Sequence, residues 1–187
     1  SGGICLDWFK NNLAKNMSFQ QLDELASQRP IDESLIFLPY INGVNSPEFD
    51  RNATGVFYGL KVEHDAVSMA AAVMEGVAFL LDKNMKAFKD LGVNASAIVS
   101  TGGGAKSDYW NQLKADITGI PVTLPENSEA ALFGSAVIGA VTSGNVADYK
   151  QAVELIKIDK VFNPRKNELL LKKRELFDSI YRKLFHT

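Results

Sequence analysis

The stretch STGGGAKSDYWNQL, Ser100 to Leu113, decides the reading of this chain. Three consecutive glycines, Gly102, Gly103 and Gly104, follow the β-type run Ala97-Ile98-Val99-Ser100 and precede a helical pattern. A glycine loop between strand and helix lets a flat or anionic ligand approach the backbone. The helix N-terminus behind it offers free N–H groups and a partial positive charge. A tight corner needed only for packing is the alternative. Ser107 either bonds a ligand or caps the helix.

Two phosphate-binding motifs fail on spacing. Lys106-Ser107 imitates the end of a P-loop, but Ala105 and Ser100 stand at both of its glycine positions. The dinucleotide fingerprint finds Gly102 and Gly104 but meets Ser107 at its third glycine. A free-standing dinucleotide-dependent dehydrogenase is thereby excluded.

Working outward, "IPVTLP" is a short strand after a helix that Ser107 or Asp108 caps and Gly119 ends. Ser128 is the expected cap of an apolar helix, "EAALFGSAVIGAVTSG", closed by Gly144. Its small residues, among them Ala131, Gly134 and Gly139, suit close approach to a neighbour. "VADYKQAVELIK" reads as a further helix, Asn163-Pro164 as a break, and Asn167 to Phe185 as a solvated amphipathic cover. On the N-terminal side, Leu6 to Leu13 has helical spacing and Ser18 caps a second helix. "SLIFLPYING" and Gly55 to Leu60 read as extended segments around a polar loop, Val44 to Thr54. Asp65 caps a long helix to Asp90 that is apolar on nearly every face and belongs in the core. The strand–helix–strand–helix order from Ala97 to Val141 makes this an α/β chain with a mixed or parallel sheet flanked by helices.

Bulk properties narrow the function classes. The 187 residues carry a formal charge of −2, which gives no electrostatic case for nucleic acid or an anionic membrane. One cysteine, Cys5, excludes an internal disulfide framework, fits a reducing cytoplasm, and reads as a core thiol. Ala66 to Leu81 is short for a membrane span and is interrupted by Glu75. A glutamate in such a helix must be paired or bonded, and the backbone of Gly55 to Gly59 is the expected partner. His64 and His186 show no ligand spacing, so no protein metal site is expected. Lys106 is expected in solvent, and Asp50 and Arg51 in a solvated loop.

The string "STGGGAKSDYWNQLKADITGIPV" followed by "SEAALFGSAVIGA" resembles the C-terminal lobe of the FGGY carbohydrate kinases. "GVFYGLKVEHDAVSMAAAVMEGVAF" is similar to a signature of that family, with Gly55, Phe57, Gly59, Leu60 and Glu75 in place and a departure at Ser68. "SGGICLDWF" resembles its glycine turn and helix start near the phosphates. The likeness runs from Ser1 to about Gly144. Within the family, "FLPYINGVNSPEFDRNATGVFYGL" is most like xylulose kinases, although Val44-Asn45-Ser46-Pro47 departs from their usual Glu-Arg-Thr-Pro; gluconate kinases come next.

The resemblance implies an actin-like ATPase fold, related to ribonuclease H, in which ATP lies between two lobes. It implies that Gly103, Gly104 and Ser107 face the adenosine, with Asn111 and Gln112 on the first turns of the following helix within reach, and that Gly2 and Gly3 lie near the β- and γ-phosphates, with Mg²⁺ bridging the phosphates. Residues 1–187 are then one nucleotide-binding lobe. The family's general base, an Asp, and most of its sugar pocket precede this segment, so this chain carries no catalytic residue and is expected to be inactive alone. A homodimer is compatible with this reading. A non-catalytic interaction module on the same scaffold is the alternative from a different class.

Overall fold

In a computed structural model, residues 2–127, 129–154 and 156–185 are described. Ser128 and His186 lie outside them, and with them the expected cap and the second histidine. Helix α1 spans Gly2–Leu13 and α2 Phe19–Ser27. The Ser18 hydroxyl accepts from the Gln21 amide, and the Gln21 side chain accepts from the Ser18 amide, which closes a reciprocal cap on α2. Strands β1 (Ile36–Leu38) and β2 (Val56–Tyr58) pair antiparallel, with Phe37 opposite Phe57.

Helix α3, Ala66–Asp90, starts at Asp65, whose carboxylate accepts from the Ser68 amide. It runs through the core and packs against β1, α1, α2 and the later helix over Asp108–Thr118. Contact with β1 is close enough to require a glycine. A Cβ at Gly76 would stand 2.2 Å from the Phe37 carbonyl oxygen.

Beyond α3 lies a mixed sheet. β3 (Ile98–Val99) is parallel to β4 (Val122–Pro125), with Ile98 opposite Val122, and β4 is antiparallel to β5 (Ile158–Phe162), with Val122 opposite Phe162. Helix α4, Asp108–Thr118, makes the parallel crossover and ends at Gly119 in the left-handed conformation. The three-glycine segment is not an open loop. Gly103–Lys106 forms a single 3₁₀ turn.

Several expectations change at the C-terminal end. Helix α6 covers only Tyr149–Glu154, and the chain then becomes β5. The free edge of β4 supplies the hydrogen bonds of that strand. Helix α7, Glu168–Phe185, is more than a solvated cover. It buries Leu170, Phe177, Ile180 and Tyr181, and also Lys173.

Helix α5, Ala130–Thr142, lacks the close neighbour its small residues suggested. None of the residues from Ala131 to Thr142 is buried, and no atom lies within 4 Å of a Cβ built on Gly134 or Gly139. Glu129 stands at its cap position without a side-chain bond.

Candidate functional site

The glycine turn is built where the carboxyl end of β3 meets α4. In open α/β sheets this crevice is the usual ligand site. Gly102 has φ 76° and ψ −160°, a region essentially reserved for glycine. The chain itself therefore needs a glycine at 102. Gly103 is different. Its φ is ordinary, and no atom lies within 4 Å of a Cβ placed there. Nothing within the fold demands a bare backbone at Gly103, whose outer side is open. Gly104 lies against Trp110, with a built Cβ 3.3 Å from Cζ3.

The polar side chains around the turn are largely occupied in building it. The Ser107 hydroxyl accepts from the Trp110 amide at 2.8 Å and donates to the Asp23 carboxylate, joining α4 to α2. Burial pushes the Asp23 carboxyl up, an effect that the Ser107 bond opposes and Asp108 and Glu24 reinforce. Asn111 is fully buried. Its amide donates to the Ala105 carbonyl at 2.8 Å and its oxygen accepts from the Ser100 hydroxyl at 2.9 Å. The Trp110 indole donates to the Met74 carbonyl at 2.9 Å, anchoring α4 on α3. Gln112 faces the other way, donating to Asp116 at 2.6 Å and to the Asn163 carbonyl at 2.8 Å. Ser107 and Asn111 thus hold the shape of the turn, and Gly103 and the backbone are its open surface. Lys106 is exposed, as expected.

The two nearby helix starts differ electrostatically. α4 is capped by Ser107 and carries in its first turn Asp108, which is paired with Lys160 at 2.8 Å. α1 has no acid in its first turn, and Gly2 and Gly3 are its first residues. Its first amides lack intrahelical partners, which suits a phosphate. α1 packs against the 3₁₀ turn, so both lie on one side of the core.

Other singled-out residues serve the fold. The Cys5 thiol is buried, donates to the Pro39 carbonyl, and is pushed up to about 11 by burial. Glu75 bonds not to the Gly55–Gly59 backbone but to Lys173. Burial pushes its carboxyl up against the opposing pull of that ammonium. His64 has partners that its sequence context hid. Its Nδ1 accepts from the Lys61 amide at 3.0 Å, so Nε2 carries the proton and donates to Asp32 at 2.8 Å. Asp50 accepts from the Asn52 amide at 2.8 Å within its own loop, and Arg51 is exposed.

Residues 2–143 match the sequence profile of the FGGY family of carbohydrate kinases, C-terminal domain. The xylulose kinase of Bacillus subtilis strain 168 is 34% identical over 190 residues, which is 100% of this chain and 38% of that protein. Among solved structures, a ligand-bound xylulose kinase from Lactobacillus acidophilus superposes with a TM-score of 0.85 at 29% identity, over 99% of this chain and 38% of that one. A gluconate kinase from the same organism gives 0.87 at 29% identity, with the same coverage. The chain thus spans about 38% of the length of these relatives.

Proposed function

The chain belongs to the FGGY family of carbohydrate kinases, and from that premise we propose that it forms the nucleotide-binding side of a sugar kinase that transfers the γ-phosphoryl group of ATP to a ketopentose. The observation that carries this reading is Gly103, a glycine at the mouth of the crevice for which the fold itself has no use. A flat nucleoside can lie on that bare backbone, and Gly104 and the Trp110 ring form the floor behind it. Ser107 and Asn111 keep the turn in shape. Gly2 and Gly3 at the start of α1 take the phosphate end.

Phosphoryl transfer depends on positioning and on stabilising the charge of the transferring group. In this reading the chain contributes position. It fixes the nucleoside, so that the phosphates run toward the α1 amides. Among the described residues no cluster of three or more Asp, Glu, His or Cys side chains could hold a cation. Mg²⁺ would be held by the nucleotide phosphates, where it would neutralise charge on the transferring group. No residue of this chain is assigned as general base for the acceptor hydroxyl. Sugar-dependent ADP formation by this chain alone is therefore expected to be absent.

D-Xylulose is the favoured acceptor, on the likeness of the Phe37 to Leu60 segment to xylulose kinases. Gluconate is the second reading, favoured by the superposition on a gluconate kinase. The same scaffold serving as a non-catalytic interaction module makes a different prediction, since it would have no affinity for nucleotide. Calorimetric titration with Mg-ATP tests the choice. Binding by the chain that is lost in Gly103→Asp supports the nucleotide reading. Binding unchanged by that substitution would move the nucleotide elsewhere, and absence of binding in both would favour the scaffold.

A further inference from the structure

The glycine turn is fastened from below by a buried side chain. The Asn111 amide donates to the Ala105 carbonyl at 2.8 Å, and the Ala105 amide closes the turn on the Gly102 carbonyl at 3.1 Å. A carboxamide keeps nearly the same shape when its nitrogen and oxygen are exchanged, and the exchanged form would set an oxygen against the Ala105 carbonyl. The groups at the Asn111 Oδ1 therefore decide whether the turn is held. The Ser100 hydroxyl stands there at 2.9 Å, but a hydroxyl both donates and accepts and so tolerates either orientation. The Lys114 ammonium stands there at 3.2 Å and has donors only, so it admits the oxygen and rejects the nitrogen. It also lies 3.4 Å from the Ser100 hydroxyl, which turns the proton of that hydroxyl toward Asn111.

Lys114 is on the second turn of α4, and long helical side chains lean toward the N-terminus, which brings its amine under the turn. The Trp110 ring supports the ammonium at 4.9 Å from the centroid. Gly104 leaves the space above, where a built Cβ would stand 3.3 Å from that ring and 3.9 Å from Nζ. Among the described residues no carboxylate pairs with Lys114. Ion pairing does not account for its place; its donor-only chemistry does. Burial pushes the amine down to about 8, so most of it stays charged near neutral pH.

We propose that Lys114 is a positioning residue for the nucleotide: by fixing the Asn111 carboxamide it holds the turn in the form that presents the Gly103 backbone. This role rests on the nucleotide reading of the same turn. Lys114 itself does not touch the nucleotide. Its effect passes through the Asn111 amide to the Ala105 carbonyl, and it reaches affinity only through the shape of the turn. A neutral side chain of the same reach would fill the space on Trp110 and leave the amide free to exchange its ends. The Ala105 carbonyl would then lose its donor in part of the population, and the turn would be held less tightly.

Lys114→Met is the test, because methionine keeps an unbranched stem over Trp110 and removes the donors. The variant and the parent are compared in Mg-ADP affinity by calorimetry, in urea midpoint, and in the exchange protection of the Asn111 side-chain amide protons by proton–nitrogen correlation spectra. Affinity is expected to fall about tenfold, the lower end for one hydrogen bond to a charged group. The midpoint is expected to hold or rise, since a half-buried ammonium without an acid partner gives way to an apolar group. The Asn111 amide protons are expected to lose protection. Unchanged affinity overturns the proposal. So does affinity lost while the Asn111 protons keep their protection, because the lysine would then act other than through that amide. So does a fall in the midpoint, which would assign the loss to the stability of the fold. Absence of Mg-ADP binding in the parent is a separate result, which removes the nucleotide reading and with it the role of Lys114.

Discussion

Lys173 on α7 is the ion-pair partner of Glu75 on α3, 98 residues earlier in the chain, and both side chains are at most 4% exposed. The pair fastens the last helix to the core helix. A buried pair gives little net stability over well-packed apolar residues, but removing one member strands the other charge. Lys173→Met is expected to lower the unfolding free energy by about 3–5 kcal/mol. The double variant Lys173→Met with Glu75→Leu should recover most of that loss. Urea unfolding of both decides it. Equal losses in the single and double variants would mean that packing, and not the stranded carboxylate, sets the cost.

Gly102 and Gly103 should separate stability from binding. Ala at 102 must adopt a positive φ and is expected to cost about 1–3 kcal/mol. Ala at 103 enters open space with ordinary backbone and should change stability by less than about 1 kcal/mol. Its effect should fall on nucleotide affinity. Urea midpoints and calorimetric titrations of Gly102→Ala and Gly103→Ala check both halves. A large loss of stability in Gly103→Ala would contradict the open geometry.

Acid should destabilise the fold through Asp32 and Asp65. Burial pushes the Asp32 carboxyl up, but bonds from the Ser34 hydroxyl and amide, the His64 ring and the Leu35 amide outweigh it and hold the group well below the usual carboxylate range. Burial likewise raises Asp65, and the Ser68 amide, the Arg29 guanidinium and the Ser68 hydroxyl more than offset it. Both folded values lie below the unfolded value of about 3.9, so their stabilisation is complete above it. It is lost as pH falls through that value toward the depressed folded ones, because the unfolded chain takes up protons first. Stability measured from about pH 5 down to about pH 2 should therefore decline, and Asp32→Asn should flatten the decline. A profile for Asp32→Asn parallel to that of the parent would remove Asp32 from this account.

Helix α5 should behave as an interface and not as core. It is nearly all apolar, yet Leu132 is 68% and Ile138 57% exposed. A helix that is hydrophobic all round is normally buried, and an exposed apolar patch marks a contact surface. The double variant Leu132→Glu with Ile138→Glu should leave the thermal midpoint of this chain within about 2 °C, since surface changes are nearly neutral. It should also reduce concentration-dependent self-association in sedimentation velocity. A large drop in the midpoint would show that α5 packs within the chain after all.

The sequence by itself determined what is local. The boundaries of α3 followed from Asp65 and its polar end, those of α4 from Ser107 and Gly119, and the glycine turn from three residues without side chains. Caps, turn glycines and hydrophobic period act over a few positions, so they can be read in a single string. The family likeness rested on the same short motifs. Only the tertiary structure decided what joins distant positions. It gave Glu75 to Lys173, His64 to Asp32 and Ser107 to Asp23, and it turned a charged surface helix into one with a buried lysine. It also drew β5 to the open edge of β4, where its backbone groups found partners that no local pattern specifies. Among the three glycines, it alone distinguished the one needed for a strained φ from the one left open. A residue's type states which contacts it can make, and the fold chooses among them because burial makes an unpaired polar group costly wherever it lies in the chain.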